Sequence, residues 1–136
     1  MAFRFMQRWI DRMLQAVPLV AGAPRAGQLA PREAWELQRD GAAILVDVRT
    51  PGEFAAGHAA GALNVPVAEA ASRAAEVRQR ADGRAVVLYC RSGMRAHRAE
   101  RVLRAEGVTS SMYHLAGQLS GWQDEGLPVE TGGSQL

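Results

Sequence analysis

The chain has 136 residues and a mass of 14.6 kDa, which is room for one domain with its own hydrophobic core. Apolar residues make up 48% of the sequence and charged residues 22%, a composition that excludes an intrinsically disordered chain. All sixteen basic residues are arginine, and against fourteen acidic residues they leave a net charge of +2, too small an excess to predict nucleic-acid binding. No apolar run reaches the roughly 18 residues that predict a membrane span.

Residues 1–17 predict an amphipathic helix. At about 100° per residue, large apolar side chains occupy one half of the helical wheel, and Arg4, Arg8 and Arg12 lie on the other half. Because arginines interrupt the apolar run, we expect no secretory signal. Three surfaces could bury the apolar face of this helix: the same domain, a second copy in a homodimer, or a membrane with anionic headgroups.

The rest of the chain predicts one α/β domain over residues 28–130, preceded by a proline- and glycine-rich linker at 18–27 and followed by a flexible tail at 131–136. Hydrophobic patterns predict helices at 31–39, 68–81, 94–106 and 119–125, and strands at 43–48, 63–67, 85–90 and 112–115. This alternation indicates an α/β sandwich around a mainly parallel sheet, with helices on both faces.

Cys90 is the only cysteine, so an intramolecular disulfide is excluded. It ends a buried strand, and in open α/β sheets ligands bind at the carboxyl ends of the strands. The following turn, for which Gly93 allows tight geometry, directs several N–H groups to one centre. Arg91 and Arg95 add positive charge there, which favours thiolate over thiol. We therefore interpret Cys90 as a nucleophile; the alternative is a packed core cysteine.

Three segments resemble the signatures of the rhodanese family: LVDVRTPGEFAAGHAAGALNVP at 45–66, CRSGMR at 90–95, and LAGQLSGW at 115–122 followed by GLPV at 126–129. The resemblance covers about residues 28–129. It implies a five-stranded sheet flanked by helices, and a loop cysteine, here Cys90, that carries a persulfide during sulfur transfer. Four residues separate Cys90 from Arg95. Phosphatases that resemble this family have a longer loop, so a phosphatase is not expected.

Two positions depart from the family pattern. Gly117 and Gln118 stand where paired glycines are usual, and Ala59 and Ala60 stand where isoleucine and proline are usual. We expect neither departure to touch the nucleophile loop.

The resemblance implies that several other polar residues support the fold. Asp47, Arg49 and Glu53 would form a buried ion pair, because a buried charge needs a partner, and His58 would be a hydrogen-bonded scaffold residue. His97 and His114 lack companions with metal-ligand spacing, so we predict no metal site. The resemblance implies no organic cofactor.

The resemblance implies a thiosulfate sulfurtransferase with a small-molecule sulfur donor and a thiol or cyanide acceptor. The Cys90 thiolate would attack the outer sulfur of thiosulfate and expel sulfite. The loop residues Arg91, Ser92, Gly93, Met94 and Arg95 would hold the substrate, with the two arginines on the sulfonate. A non-catalytic binding or redox-sensing module is the alternative. We expect a cytoplasmic protein without a nucleic-acid partner, peripheral to the membrane if residues 1–17 bind lipid.

Overall fold

The computed structural model describes residues 27–133. The amphipathic helix predicted at 1–17, the linker at 18–27 and the flexible tail at 131–136 lie wholly or partly outside the described residues, so they stay predictions. Within residues 27–133, every helix is too short or too polar to cross a bilayer.

The strands, in chain order, are β1 (Gln28–Leu29), β2 (Ala43–Asp47), β3 (His58–Ala59), β4 (Leu63–Asn64), β5 (Ala85–Tyr89), β6 (Met112–Leu115) and β7 (Val129–Glu130). The helices are α1 (Pro31–Arg39), α2 (Pro51–Ala56), α3 (Ala74–Ala81), α4 (Met94–Ala105) and α5 (Gln118–Asp124), with a 3-10 turn at Val67–Glu69.

Five of these strands form one parallel sheet in the order β1-β6-β5-β2-β4. The central strand β5 is buried along its whole length because both faces of the sheet are covered. Val87 and Tyr89 pack in the core that includes α1 and α5, whereas Val86 and Leu88 pack with α3 and α4 on the opposite face. The predicted five-stranded, mainly parallel sheet with helices on both faces is confirmed.

The prediction of a helix at 68–81 is wrong in its first part. A 3-10 turn comes first, and α3 begins only at Ala74. The hydroxyl of Ser72 donates to the carbonyl oxygen of Glu69, and such a side-chain bond offers the backbone a local alternative to a regular helix. The strand predicted at 63–67 is also shorter, since β4 ends at Asn64, although the N–H groups of Val65 and Val67 still donate to the carbonyl oxygens of Asp47 and Val48.

Four elements were not predicted: β1, α2, and the two strands of the small antiparallel sheet. Each is short, two residues for each strand and six for α2, so none fills a periodicity window. The sequence does carry the start signal of α2, since Thr50 and Glu53 form a capping box around Pro51. The small sheet pairs β3 with β7. Just after β7, the N–H of Gly132 donates to the carbonyl oxygen of Ala55 in α2.

Candidate active site

Cys90 follows β5 directly, at the carboxyl edge of the sheet, and the loop that it begins leads into α4. Gly93 closes the turn with a φ of +98°, which a residue with a side chain rarely adopts. The N–H of Gly93 donates to Sγ of Cys90 at 2.9 Å. A donor aimed at the sulfur stabilises negative charge there, as a nucleophilic thiolate requires.

The buried Cys90 lies at a cavity of about 300 Å³ between α2, the Cys90 loop and α5. Arg91 is exposed and has no acidic partner within 4.0 Å among residues 27–133. Its guanidinium is therefore available to an anion. The cavity is lined by Arg49, Glu53, Ala56, Cys90, Arg91, Leu119, Ser120 and Gln123.

Arg95 differs from its expected role on the substrate. Its two terminal nitrogens donate to the two carboxylate oxygens of Glu53, at 2.6 Å and 3.0 Å. Hydrogen bonding to Arg95 is the largest cause that lowers the pKa of Glu53 to about 2. The sequence placed Glu53 in a buried pair with Asp47 and Arg49, but the carboxylate is partly exposed and binds the nucleophile loop instead. The cause is that α2 faces the first turn of α4, which the spacing along the chain did not indicate.

Asp47 and Arg49 form a buried ion pair at the end of β2. The guanidinium contacts both carboxylate oxygens, with the shortest distance 2.8 Å, and it also donates to the carbonyl oxygen of Gly57 at 2.6 Å. Burial lowers the pKa of Arg49, but hydrogen bonds and charge from Asp47 outweigh burial and raise it. The pair therefore holds the segment before β3 against β2.

His58, Ser92 and Met94 complete the set of residues singled out by the sequence. Nδ1 of His58 lies 2.7 Å from the carbonyl oxygen of Phe54, and the two rings stack at 3.5 Å. His58 is buried and lies outside the residues that line the cavity. Ser92 is exposed in the loop, and the side chain of Met94, at the start of α4, is 79% exposed.

Gln118 contacts the nucleophile loop, which the residue patterns of the sequence did not predict. Its side-chain Oε1 accepts a hydrogen bond from the backbone N–H of Cys90 at 2.9 Å. The expectation that neither departure from the family pattern touches this loop is therefore wrong for Gln118. The only signal in the sequence was the departure itself, since Cys90 and Gln118 are 28 positions apart.

His97 and His114, which appeared to lack companions in the sequence, come together with Glu100. Nε2 of His114 lies 2.5 Å from one oxygen of Glu100, Nε of Arg104 lies 2.9 Å from the other, and the two imidazole rings stack at 4.1 Å. Side chains of the protein thus contact both oxygens of Glu100, and Arg104 forms an ion pair with it. The i, i+3 spacing of His97 and Glu100 was the signal available.

Comparison with known proteins agrees with this geometry. The family model described as the rhodanese-like domain matches residues 30–125. A sulfurtransferase of Allochromatium vinosum is 37% identical over 86 residues, which are 63% of this chain and 77% of that protein. The chloroplastic thiosulfate sulfurtransferase 16 of Arabidopsis thaliana is 33% identical over 94 residues, covering 62% of this chain and 78% of that protein.

A solved structure of a human single-domain sulfurtransferase has a TM-score of 0.60 and 29% identity, and the match covers 74% of this chain and 98% of the human chain. For three other curated relatives, the match spans only 54% to 60% of their length. The family model covers most of the sequence and includes both α2 and the Cys90 loop. On this evidence, the chain belongs to the rhodanese-like family.

Proposed function

We propose that the protein is a sulfurtransferase, which moves sulfane sulfur from thiosulfate or a related donor through a Cys90 persulfide to a thiol or cyanide. The observation that carries this proposal is the N–H of Gly93, 2.9 Å from Sγ beside a cavity open to an anion. Membership in the rhodanese-like family and the sulfurtransferase names of two relatives support it.

The first half-reaction forms one sulfur–sulfur bond and breaks another. The Cys90 thiolate attacks the outer sulfur of thiosulfate, and the bond to the central sulfur breaks with its electron pair leaving on sulfite. Arg91 binds the sulfonate oxygens and stabilises the charge that grows on them, because its guanidinium has no acidic partner among the described residues. Arg95 has a different role: it joins the loop to α2 through Glu53.

In the second half-reaction, an acceptor thiolate or cyanide attacks the outer sulfur of the persulfide, and the Cys90 thiolate leaves. The donor N–H of Gly93 faces the cysteine sulfur that is released in this step. Two half-reactions on one nucleophile predict ping-pong kinetics.

The decisive experiment measures the intact mass of the protein after incubation with thiosulfate, and again after adding cyanide. We expect a gain of one sulfur atom on Cys90, its loss to cyanide as thiocyanate, and neither event in Cys90→Ser, since a hydroxyl is a much weaker nucleophile. Sulfur transfer by Cys90→Ser would refute the assignment. Reversible oxidation of Cys90 without any sulfur gain from thiosulfate would instead support the redox-sensing alternative.

A further inference from the structure

Gln118 begins α5 in a backbone conformation that residues with a side chain rarely adopt. Its φ is +54°, in the left-handed region where a Cβ crowds the backbone and glycine is favoured. Gly117 before it has a φ of +74°, so two consecutive left-handed residues turn the chain from β6 into α5. A residue in this region persists when the surrounding contacts hold it there.

The contacts of the Gln118 amide lie at the ends of two neighbouring strands. Oε1 accepts from the N–H of Cys90 at 2.9 Å, and Nε2 donates to the carbonyl oxygen of Leu115 at 3.1 Å. β5 ends just before Cys90, and β6 ends at Leu115. An amide in the reverse orientation would oppose donor to donor and acceptor to acceptor, so the two partners fix its orientation.

Gln118 also packs behind the other end of the nucleophile loop. A Cβ built on Gly93 would lie 3.4 Å from Nε2 of Gln118, so the amide occupies the space that a side chain at this position would enter. Gly93 is the residue whose N–H points at Sγ of Cys90. The side chain therefore accepts a hydrogen bond from the first residue of the loop and lies beside the residue that supplies the hydrogen bond to the sulfur.

We propose that Gln118 is a positioning residue for the Cys90 nucleophile. At the end of β6, its amide accepts from the N–H of Cys90 and fills the space beside Gly93, which keeps Sγ within reach of the Gly93 N–H. This role adds a positioning residue to the proposed sulfur transfer, and it rests on Cys90 being the nucleophile of that reaction. A glycine at this position would adopt the same φ without strain but would leave the N–H of Cys90 without this acceptor.

Alkylation of Cys90 by iodoacetamide tests this role without any sulfur donor. The variants are Gln118→Gly and Gln118→Asn, because both residues accept a positive φ and the asparagine amide is one methylene shorter. The matched control is Gln38→Ala, which removes another glutamine side chain elsewhere in the fold. Nε2 of Gln38 donates a hydrogen bond of 2.9 Å to the carbonyl oxygen of Ala60.

We expect the alkylation rate constant at neutral pH to fall about fivefold in both Gln118 variants, the factor that one hydrogen bond represents. Gln38→Ala should alkylate like the unchanged chain. We also expect the backbone amide of Cys90 to exchange with deuterium faster in the Gln118 variants, because its acceptor is gone.

Thermal unfolding verifies that each variant is folded at the assay temperature. If only one Gln118 variant is folded, its alkylation rate alone can be compared with that of the unchanged chain. An unchanged alkylation rate in a folded Gln118 variant would overturn the proposal, including the case in which only the melting temperature falls. Iodoacetamide reports on Cys90 directly. A chain that transfers no sulfur but shows the fivefold fall would therefore refute the proposed function and leave the positioning role standing.

Discussion

Glu53 in α2 and Arg95 in α4 are joined by two parallel hydrogen bonds, of 2.6 Å and 3.0 Å, across 42 positions of the sequence. Glu53 also completes the capping box of α2 with Thr50. One carboxylate thus fixes both the start of a cavity-lining helix and the first turn after the Cys90 loop. The ion pair makes the loop and the cavity wall a single unit.

The first prediction follows from the pKa of Glu53, which is about 2 in the folded chain against an ordinary value of 4.5. Because the folded state binds this proton less readily, the pair stabilises the fold above the ordinary value, and the contribution is lost as the pH falls toward about 2. We expect Glu53→Gln to lower the melting temperature at neutral pH by no more than about 5 °C, since the pair is partly exposed.

The melting temperatures of Glu53→Gln and the unchanged chain should converge as the pH falls from 4.5 toward about 2. Glu125→Gln is the control, because Glu125 is exposed and has no ion pair within residues 27–133. A difference that stays constant from neutral to acidic pH would show that the carboxylate acts through packing and not through charge.

The second prediction concerns the arginine that binds the sulfur donor. We expect Arg91→Ala to raise the KM for thiosulfate about tenfold, because a charge-assisted hydrogen bond to the sulfonate is lost. Arg98→Ala is the control, since Arg98 is an exposed arginine of α4 outside the residues that line the cavity. Steady-state kinetics at constant ionic strength measures both. Equal increases in KM would mean that the arginines contribute only general positive potential.

The third prediction concerns the buried pair of Asp47 and Arg49. Asp47→Asn keeps the shape of the side chain but leaves the guanidinium buried without its counter-charge, so we expect the free energy of unfolding to fall by about 3–5 kcal/mol. Urea titration measures this loss. The control is Glu76→Gln, which breaks the more exposed pair with Arg73 and should cost at most about 1 kcal/mol. Similar losses in the two variants would contradict the importance of burial.

The fourth prediction addresses the amphipathic segment that precedes the described residues. Deleting residues 1–24 should leave sulfur transfer per Cys90 nearly unchanged, because the sheet and the cavity form within residues 27–133. We expect the deletion to change the oligomeric state, measured by sedimentation, or the binding to anionic vesicles. Loss of sulfur transfer in a folded truncated chain would indicate instead that this segment reaches the cavity.

The elements predicted from the sequence are those with long apolar runs or full helical periods. The buried run of β5 gave both the strand and the position of Cys90 at its carboxyl end, so fold and nucleophile could be inferred together. The partners of the loop could not be inferred. Arg95 binds Glu53 and Cys90 binds Gln118 across long stretches of sequence, and no local pattern encodes which side chains meet there.

The small antiparallel sheet is completed later in synthesis than the main sheet. The segment after α2 is held by the N–H of Ala60, which donates to the carbonyl oxygen of Pro128 at 3.0 Å. Helix α2 itself is held by the carbonyl oxygen of Ala55, which accepts from the N–H of Gly132. Synthesis runs from the amino end, so all five strands of the main sheet exist before residues 128–132 emerge. The strand that leads to Cys90 and the other four strands are therefore made before the residues that secure α2, the helix that lines the cavity beside Cys90.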